Sequence, residues 1–166
     1  MYNVIYSDPP WRYSFSRSKS RKIENQYETI PGTGGIINQF PTEIEENAVL
    51  YLWATAPKLP EAFEVIEALS FTYKTCAVWD KHRTGMGYWF RGQHELLLVA
   101  TRGKFSPPIP SLRRSSVFSY RRGGHSVKPF QVRDHIQRAH PDGRAVEVFA
   151  RWTGNNYWDT KGDESS

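Results

Sequence analysis

Tyr2-Asn3-Val4-Ile5-Tyr6-Ser7-Asp8-Pro9-Pro10-Trp11 opens the chain with an apolar run that ends abruptly in a carboxylate and two prolines. Tyr2 to Tyr6 reads as a strand. Pro9 and Pro10 have no N–H and fix φ, so the ladder stops before them and the chain leaves extended. A strand that delivers a carboxylate at its carboxyl end suits an open α/β sheet, where ligands bind at that edge.

The rest of the chain supplies partners for such a sheet. Val49 to Ala54 is rich in aliphatic and aromatic residues and reads as a buried strand. Lys58 to Leu69 places Leu59, Phe63, Ile66 and Leu69 at helical spacing. Thr72 to Trp79 and Glu95 to Thr101 are predicted strands, the second with the near-continuous apolar run of a strand covered on both faces. Pro129 starts a helix whose stripe is Val132, Ile136 and Ala139, and Pro141-Asp142-Gly143 ends it. Strands at Ala145 to Ala150 and Tyr157 to Thr160 close the pattern. Thr42 with Glu45 predicts a capping box and a short helix. Gly32-Thr33-Gly34-Gly35 has no leading strand and no Lys-Ser/Thr pair, so it is expected to be a turn rather than a phosphate loop. Alternating strands and helices predict an α/β domain with a mostly parallel sheet, Asp8, Lys81 and Arg151 all falling at its carboxyl edge. With no repeat or linker in 166 residues, a single domain over 1–166 is expected.

Composition narrows the class. A 39% hydrophobic and 14% aromatic content excludes a disordered chain, and a net charge of +5 with a pI near 9.4 points to a polyanionic partner. Cys76 is the sole cysteine, which excludes an intramolecular disulfide. The start carries no signal-peptide pattern, and no apolar segment approaches the roughly 18 residues of a membrane span, so a cytoplasmic protein without membrane contact is expected. The Gly-x-Gly-x-x-Gly fingerprint is missing, which counts against a nicotinamide or flavin enzyme. His135 and His140 lack cysteine partners and i, i+4 spacing, so no metal site is expected.

The chemistry of the opening stretch is specific. An exocyclic amine on a base shares its lone pair with a π-system, so a reaction at that nitrogen needs acceptors that draw its N–H groups into place. Ionised Asp8 is acceptor-only, and the Pro9 carbonyl offers a second acceptor, with Pro10 holding the chain extended. Trp11 offers a flat surface for stacking, worth roughly 1–3 kcal/mol per base.

Asp8-Pro9-Pro10-Trp11 at the end of a leading strand resembles the adenine-N6 methyltransferases of the MT-A70 family. The likeness continues in order through Tyr51-Leu52-Trp53-Ala54-Thr55, the run from Trp89-Phe90-Arg91-Gly92 through Glu95 to Arg102-Gly103, His125 to Pro129, and Glu147-Val148-Phe149-Ala150-Arg151. It implies a Rossmann-like S-adenosylmethionine-dependent methyltransferase fold in permuted order, the reactive motif preceding the cofactor motif. By the same resemblance Tyr27 packs on the target base with Trp11 and Lys81. Lys128 pairs with the cofactor carboxylate, Glu147 and Arg151 surround the ribose hydroxyls, and Asp8 faces the cofactor ammonium. Gly154, Asn155, Asn156, Asp163 and Glu164 occupy the stretch for ribose and adenine. The chain departs from the family at Asp163, where asparagine is usual, and at Trp152-Thr153, where a histidine sometimes stands. An ordinary Glu147–Arg151 ion pair is the alternative reading of that pair.

The implied reaction is methyl transfer to N6 of adenine in nucleic acid. DNA is favoured because small free-standing members resemble bacterial and phage enzymes, with RNA as the alternative and a non-catalytic nucleic-acid-binding subunit as the alternative of another class. No separate target-recognition domain is evident, so a homodimer, a partner subunit or a relaxed sequence requirement is expected. Three loops are expected to be mobile and to clamp the backbone: Arg12 to Lys22, with Arg12, Arg17 and Lys19; Lys81 to Arg91, with Arg83 and Arg91; and Gly103 to Gly124, a lid with Arg113, Arg114, Arg121 and Arg122. Solvated surface charge is the bland alternative for each.

Overall fold

The computed structural model describes residues 1–13, 32–124 and 127–162. A seven-stranded sheet in the order β5-β3-β4-β2-β1-β6-β7 carries the molecule. Its strands are β1 (Tyr2–Ser7), β2 (Ile44–Ala54), β3 (Thr72–Asp80), β4 (His94–Arg102), β5 (Val117–Ser119), β6 (Ala145–Val148) and β7 (Trp158–Lys161). Helices α1 (Gly32–Ile37), α2 (Leu59–Ala68) and α3 (Phe130–Ala139) flank it. Only β4 runs against the others, pairing antiparallel with β2 and β3, while β1–β2, β1–β6, β6–β7 and β3–β5 are parallel. This is the expected α/β architecture with a mostly parallel sheet.

Alternation along the strands divides the core between the two faces. Ile5, Leu50, Leu52, Leu98, Ala100 and Val146 point to one side, where Ile36 of α1 and Ala62, Val65 and Ile66 of α2 cover them. Val4, Tyr6, Val49, Trp53, Leu97 and Ala145 point to the other, beneath Val132 and Ile136 of α3. Central strands buried on both faces explain the near-continuous apolar runs of β2 and β4.

Several local expectations fail for identifiable reasons. Thr42 and Glu45 do not open a helix, because Ile44 is drawn into the core and the segment enters β2. Tyr2 N–H donates to Glu43 O at 2.7 Å, and Arg102 donates to the carbonyls of Glu45 and Ile44 at 2.7 and 2.6 Å, giving that backbone partners outside any helix. The glycines at 32, 34 and 35 lie inside α1 rather than a turn, since Ile36 and Phe40 pull the segment onto the sheet. The expected strand Ala145 to Ala150 stops at Val148 because Phe149 turns left-handed, with φ of 64°. The expected lid from Gly103 to Gly124 contains a strand: β5 pairs with β3, and Trp79 Nε1 donates to Tyr120 O at 2.8 Å.

Candidate active site

β1 is an interior strand with β2 on one side and β6 on the other, and the connections that lead to these two neighbours diverge from it. Ser7 pairs with Leu52 and with Val148, and Asp8 therefore emerges at the crevice between diverging connections, the place where open α/β sheets bind ligands. Asp8 does not stand alone there. Lys128 Nζ, carried just ahead of α3, lies 2.9 Å from its carboxylate oxygens and 3.0 Å from Glu95 Oε2. Lys81 Nζ contacts the other oxygen of Glu95 at 3.3 Å. The four groups form a chain Asp8–Lys128–Glu95–Lys81, partly shielded from water, with Lys128 also 5.7 Å above the Trp53 ring.

Charge is distributed unevenly along that chain. Burial pushes the Asp8 carboxyl above its ordinary range; Lys128 opposes this and the like charge of Glu95 adds to it. Burial acts on Glu95 in the same sense, but Lys128 and Lys81 together outweigh it, and its carboxyl titrates below the usual range. Lys128 is the reverse case: burial disfavours its charge, yet Asp8 and Glu95 raise it further above the ordinary lysine value. Asp8 is thus the carboxylate in contact with one lysine, and Glu95 the carboxylate in contact with two.

Glu95 was not singled out from the sequence. A carboxylate at the start of a strand would lie at the amino edge of a parallel sheet. The connection from Asp80 to His94 is long enough for a crossover, but β4 folds back as a hairpin partner of β3, which brings Glu95 opposite Trp79 at the carboxyl edge. The readable signal was the absence of helical periodicity in that connection.

The reactive motif itself is anchored differently from expectation. Trp11 is only 5% exposed and belongs to the core with Leu52 and Ala54, its indole N–H donating to Trp53 O at 3.0 Å. A ring so enclosed fixes the Asp8-Pro9-Pro10 segment instead of offering a face to a base. Pro9 O already accepts from Trp11 N–H at 2.9 Å, leaving one carbonyl lone pair as the second acceptor. Tyr27, the other expected wall, lies outside the described residues, as do Arg17 and Lys19.

A third carboxylate borders the crevice. Glu147, 8% exposed, accepts from Trp152 Nε1 at 2.7 Å and Arg133 Nη1 at 3.1 Å, both on Oε2. Arg133 lies 3.9 Å over the Trp152 ring. Burial raises the Glu147 carboxyl, against the pull of Trp152 and Arg133. Among the described residues its ion pair is with Arg133, and the positive charge of Arg151 acts on Asp8. Trp152 fills with an indole donor the neighbourhood where a histidine was missed.

Other cofactor candidates divide. β6 and β7 are parallel, so the connection between them must return to the opposite edge. Asn155 ends up beside Trp158, which pairs with Ala145 at the start of β6. Asn155 Oδ1 accepts from Tyr157 N–H and Trp158 N–H at 2.9 Å each. Gly154 turns there with φ of 80°, where a Cβ would come within 2.4 Å of Trp158 O. Gly154, Asn155 and the adjoining Asn156 thus build the entry to β7, away from Asp8, a correction to their expected ribose and adenine role. Lys161 and Gly162 return the chain to the carboxyl edge, and Asp163 and Glu164 lie outside the described residues.

Among the loop cations, Arg121 and Arg122 follow β5 and stand towards the carboxyl edge. Arg113 and Arg114 precede it. Arg113 Nε donates to Pro108 O at 3.0 Å and Arg114 Nη1 to Tyr120 OH at 3.1 Å. The second and third loops are tied together by His82 Nε2 and Ser119 Oγ, 2.6 Å apart, rather than being independent mobile flaps. Arg12 and Arg83 are exposed beside Trp11 and His82, and Arg91 Nε donates to Gly85 O at 3.3 Å.

The chain is 31% identical to a protein of Mycoplasma sp named Type II methyltransferase M.MunI, over 98% of this chain and 77% of that one. It is 24% identical to a Medicago truncatula protein named putative N(6)-adenosine-methyltransferase MT-A70-like, over 90% of this chain but only 24% of the longer relative. The MT-A70 family profile matches residues 2–164, virtually the whole sheet with both carboxylate centres, and the chain belongs to that family.

Proposed function

We propose that this protein transfers a methyl group from S-adenosylmethionine to N6 of adenine in DNA. The observation that carries the reading is Asp8 at the central crevice, its carboxylate fixed by Lys128 beside an unused lone pair of Pro9 O. Two acceptors at the end of one rigid strand suit the two N–H groups of an exocyclic amine. Membership of the MT-A70 family and the likeness to a type II methyltransferase support both the reaction and DNA as substrate. RNA is the second reading, favoured by the more distant adenosine methyltransferase-like relative.

The donor set fits the cofactor. Glu147 has its Oε2 held by protein and can accept from ribose hydroxyls through Oε1, while Lys128 and Arg151 supply positive charge for a carboxylate. S-adenosylmethionine, when bound, supplies an electrophilic methyl group. Asp8 and Pro9 O orient the amine lone pair along the line of attack, and the negative charge of Asp8 stabilises the positive charge that develops on nitrogen. Positioning and electrostatics of this kind require no covalent enzyme intermediate. Lys128 opposes the rise that burial imposes on the Asp8 carboxyl and so favours its ionised, acceptor-only form. A target inside duplex DNA must be flipped out of the stack to reach this crevice.

Transfer of labelled methyl groups to DNA, RNA and free nucleoside, compared side by side, tests the proposal. Labelling of adenine N6 in DNA above RNA supports it, and labelling of neither nucleic acid rejects it.

A further inference from the structure

The connection between β3 and β4 turns its largest side chains outward. Trp89 and Phe90 are 95% and 90% exposed, with Tyr88 at 73% and Met86 at 78% beside them. A soluble protein ordinarily buries such rings, and a contiguous exposed set marks an interaction surface. The turn that presents them is built, not loose. Gly85 N–H donates to Gly92 O at 2.7 Å and Gly92 N–H to Met86 O at 3.3 Å. A Cβ at Gly87 would lie 1.9 Å from Phe90 O, so only glycine lets the tip close.

The same hairpin is part of the reaction centre. At its neck Lys81 N–H donates to Gln93 O at 2.9 Å, Gln93 Nε2 donates to Asp80 Oδ1 at 2.9 Å, and Lys81 Nζ meets Glu95. The aromatic tip is therefore rigidly coupled to the crevice that holds Asp8. Between positions 81 and 93 the loop carries Lys81, Arg83 and Arg91 and no acidic residue. Two copies of the chain meeting through this tip would bring like charges together, whereas a polyanion is attracted to it.

We propose that Trp89 and Phe90 stack on the nucleobases flanking the target adenine while Arg83 and Arg91 meet the adjoining phosphates. The proposal rests on the nucleic-acid reading of the site. Exposed indole and phenyl faces stack on any base, and bases freed from their neighbours when the target is extruded present such faces. Stacking at the flanks would hold the strand in register with Asp8.

The test compares wild type with Trp89→Ala/Phe90→Ala and with Trp89→Tyr. Each binds an adenine-containing DNA oligonucleotide, and the same oligonucleotide with abasic sites on both sides of that adenine, at several salt concentrations. The double variant is expected to bind the intact oligonucleotide roughly tenfold or more weakly, with the slope of log affinity against log salt unchanged because no phosphate contact is lost. Trp89→Tyr should retain most of the affinity. Wild type should fall to the level of the double variant on the abasic oligonucleotide. Equal affinities of wild type and double variant would overturn the proposal. So would loss of a wild-type dimer in sedimentation with affinity per protomer unchanged, which would assign the tip to a second copy. Methyl transfer measured on the same oligonucleotides separates the two readings. Transfer without the stacking signature removes this surface alone, and the stacking signature without transfer removes the proposed reaction while leaving the surface.

Discussion

Lys128 Nζ stands 2.9 Å from the Asp8 carboxylate although 120 residues separate them in the chain. The contact joins the end of β1 to the start of α3, and its partial burial makes it sensitive to what else shares the lysine. Glu95 does share it, at 3.0 Å. Removing one member of such a group leaves the others short of a counter-charge in a poorly solvated place, so the group behaves as a unit.

Glu95→Gln removes a like charge that helps raise the Asp8 carboxyl. Asp8 must be ionised to accept from the amine, so activity rises with pH through its pKa. The variant should therefore keep activity to lower pH, its acid limb displaced downward. Loss of one anchor for Lys128 should lower kcat by about tenfold, equivalent to ~1.4 kcal/mol of barrier. A pH–rate profile checks both, and an unmoved acid limb would separate Glu95 from the titration of Asp8.

Glu147→Gln should weaken S-adenosylmethionine binding by about tenfold, since an amide is a poorer acceptor for a diol than a buried carboxylate. Arg133→Ala should act in the same direction through Glu147, which it contacts at 3.1 Å. Calorimetry with the cofactor alone measures this independently of catalysis, and unchanged affinity in both variants would remove Glu147 from the cofactor site.

Arg121→Gln/Arg122→Gln should flatten the salt dependence of DNA binding by between about one and two units if both meet phosphates. Arg113→Gln/Arg114→Gln should change it little, because Arg113 Nε is held by Pro108 O and Arg114 Nη1 by Tyr120 OH. Equal slopes for the two pairs would contradict this division of the third loop.

His140 accounts for a separate pH effect. Its ring is packed against Phe105 and Tyr51, with Nε2 2.8 Å from Tyr51 OH, and burial with the charge of His135 pushes its pKa down to about 4. A folded-state value below the unfolded one of about 6.5 means that the unfolded chain binds the extra proton first. Stability from this group is complete above pH 6.5 and is lost as pH falls towards 4. Thermal unfolding should show a steeper loss over that interval for wild type than for His140→Phe; parallel curves would contradict the assignment.

Much of this architecture was legible because the central strands are buried on both faces and their composition says so: Val4–Tyr6, Val49–Ala54 and Leu96–Ala100 announce themselves, and Val132, Ile136 and Ala139 trace the buried stripe of α3. Asp8 was legible because prolines end its strand. What escaped depended on direction and long-range pairing. The reversed course of β4 hid Glu95, the return path between β6 and β7 carried Asn155 to the far edge, and core packing claimed Trp11, whose ring looks equally suited to a ligand. Thr42 and Glu45 carried a valid local signal, which burial of Ile44 and the guanidinium of Arg102 overrode.

The central claim is that Asp8 orients the amine that receives the methyl group, and labelled methyl transfer to adenine-containing DNA by wild type, Asp8→Ala and Asp8→Asn tests it most directly. The account predicts at least a tenfold loss in both variants, with the asparagine failing because its amide places a donor where an acceptor is required, while both keep the wild-type fold by circular dichroism. Retention by Asp8→Ala of more than about a tenth of the wild-type rate, a loss below roughly 1.4 kcal/mol, would contradict it.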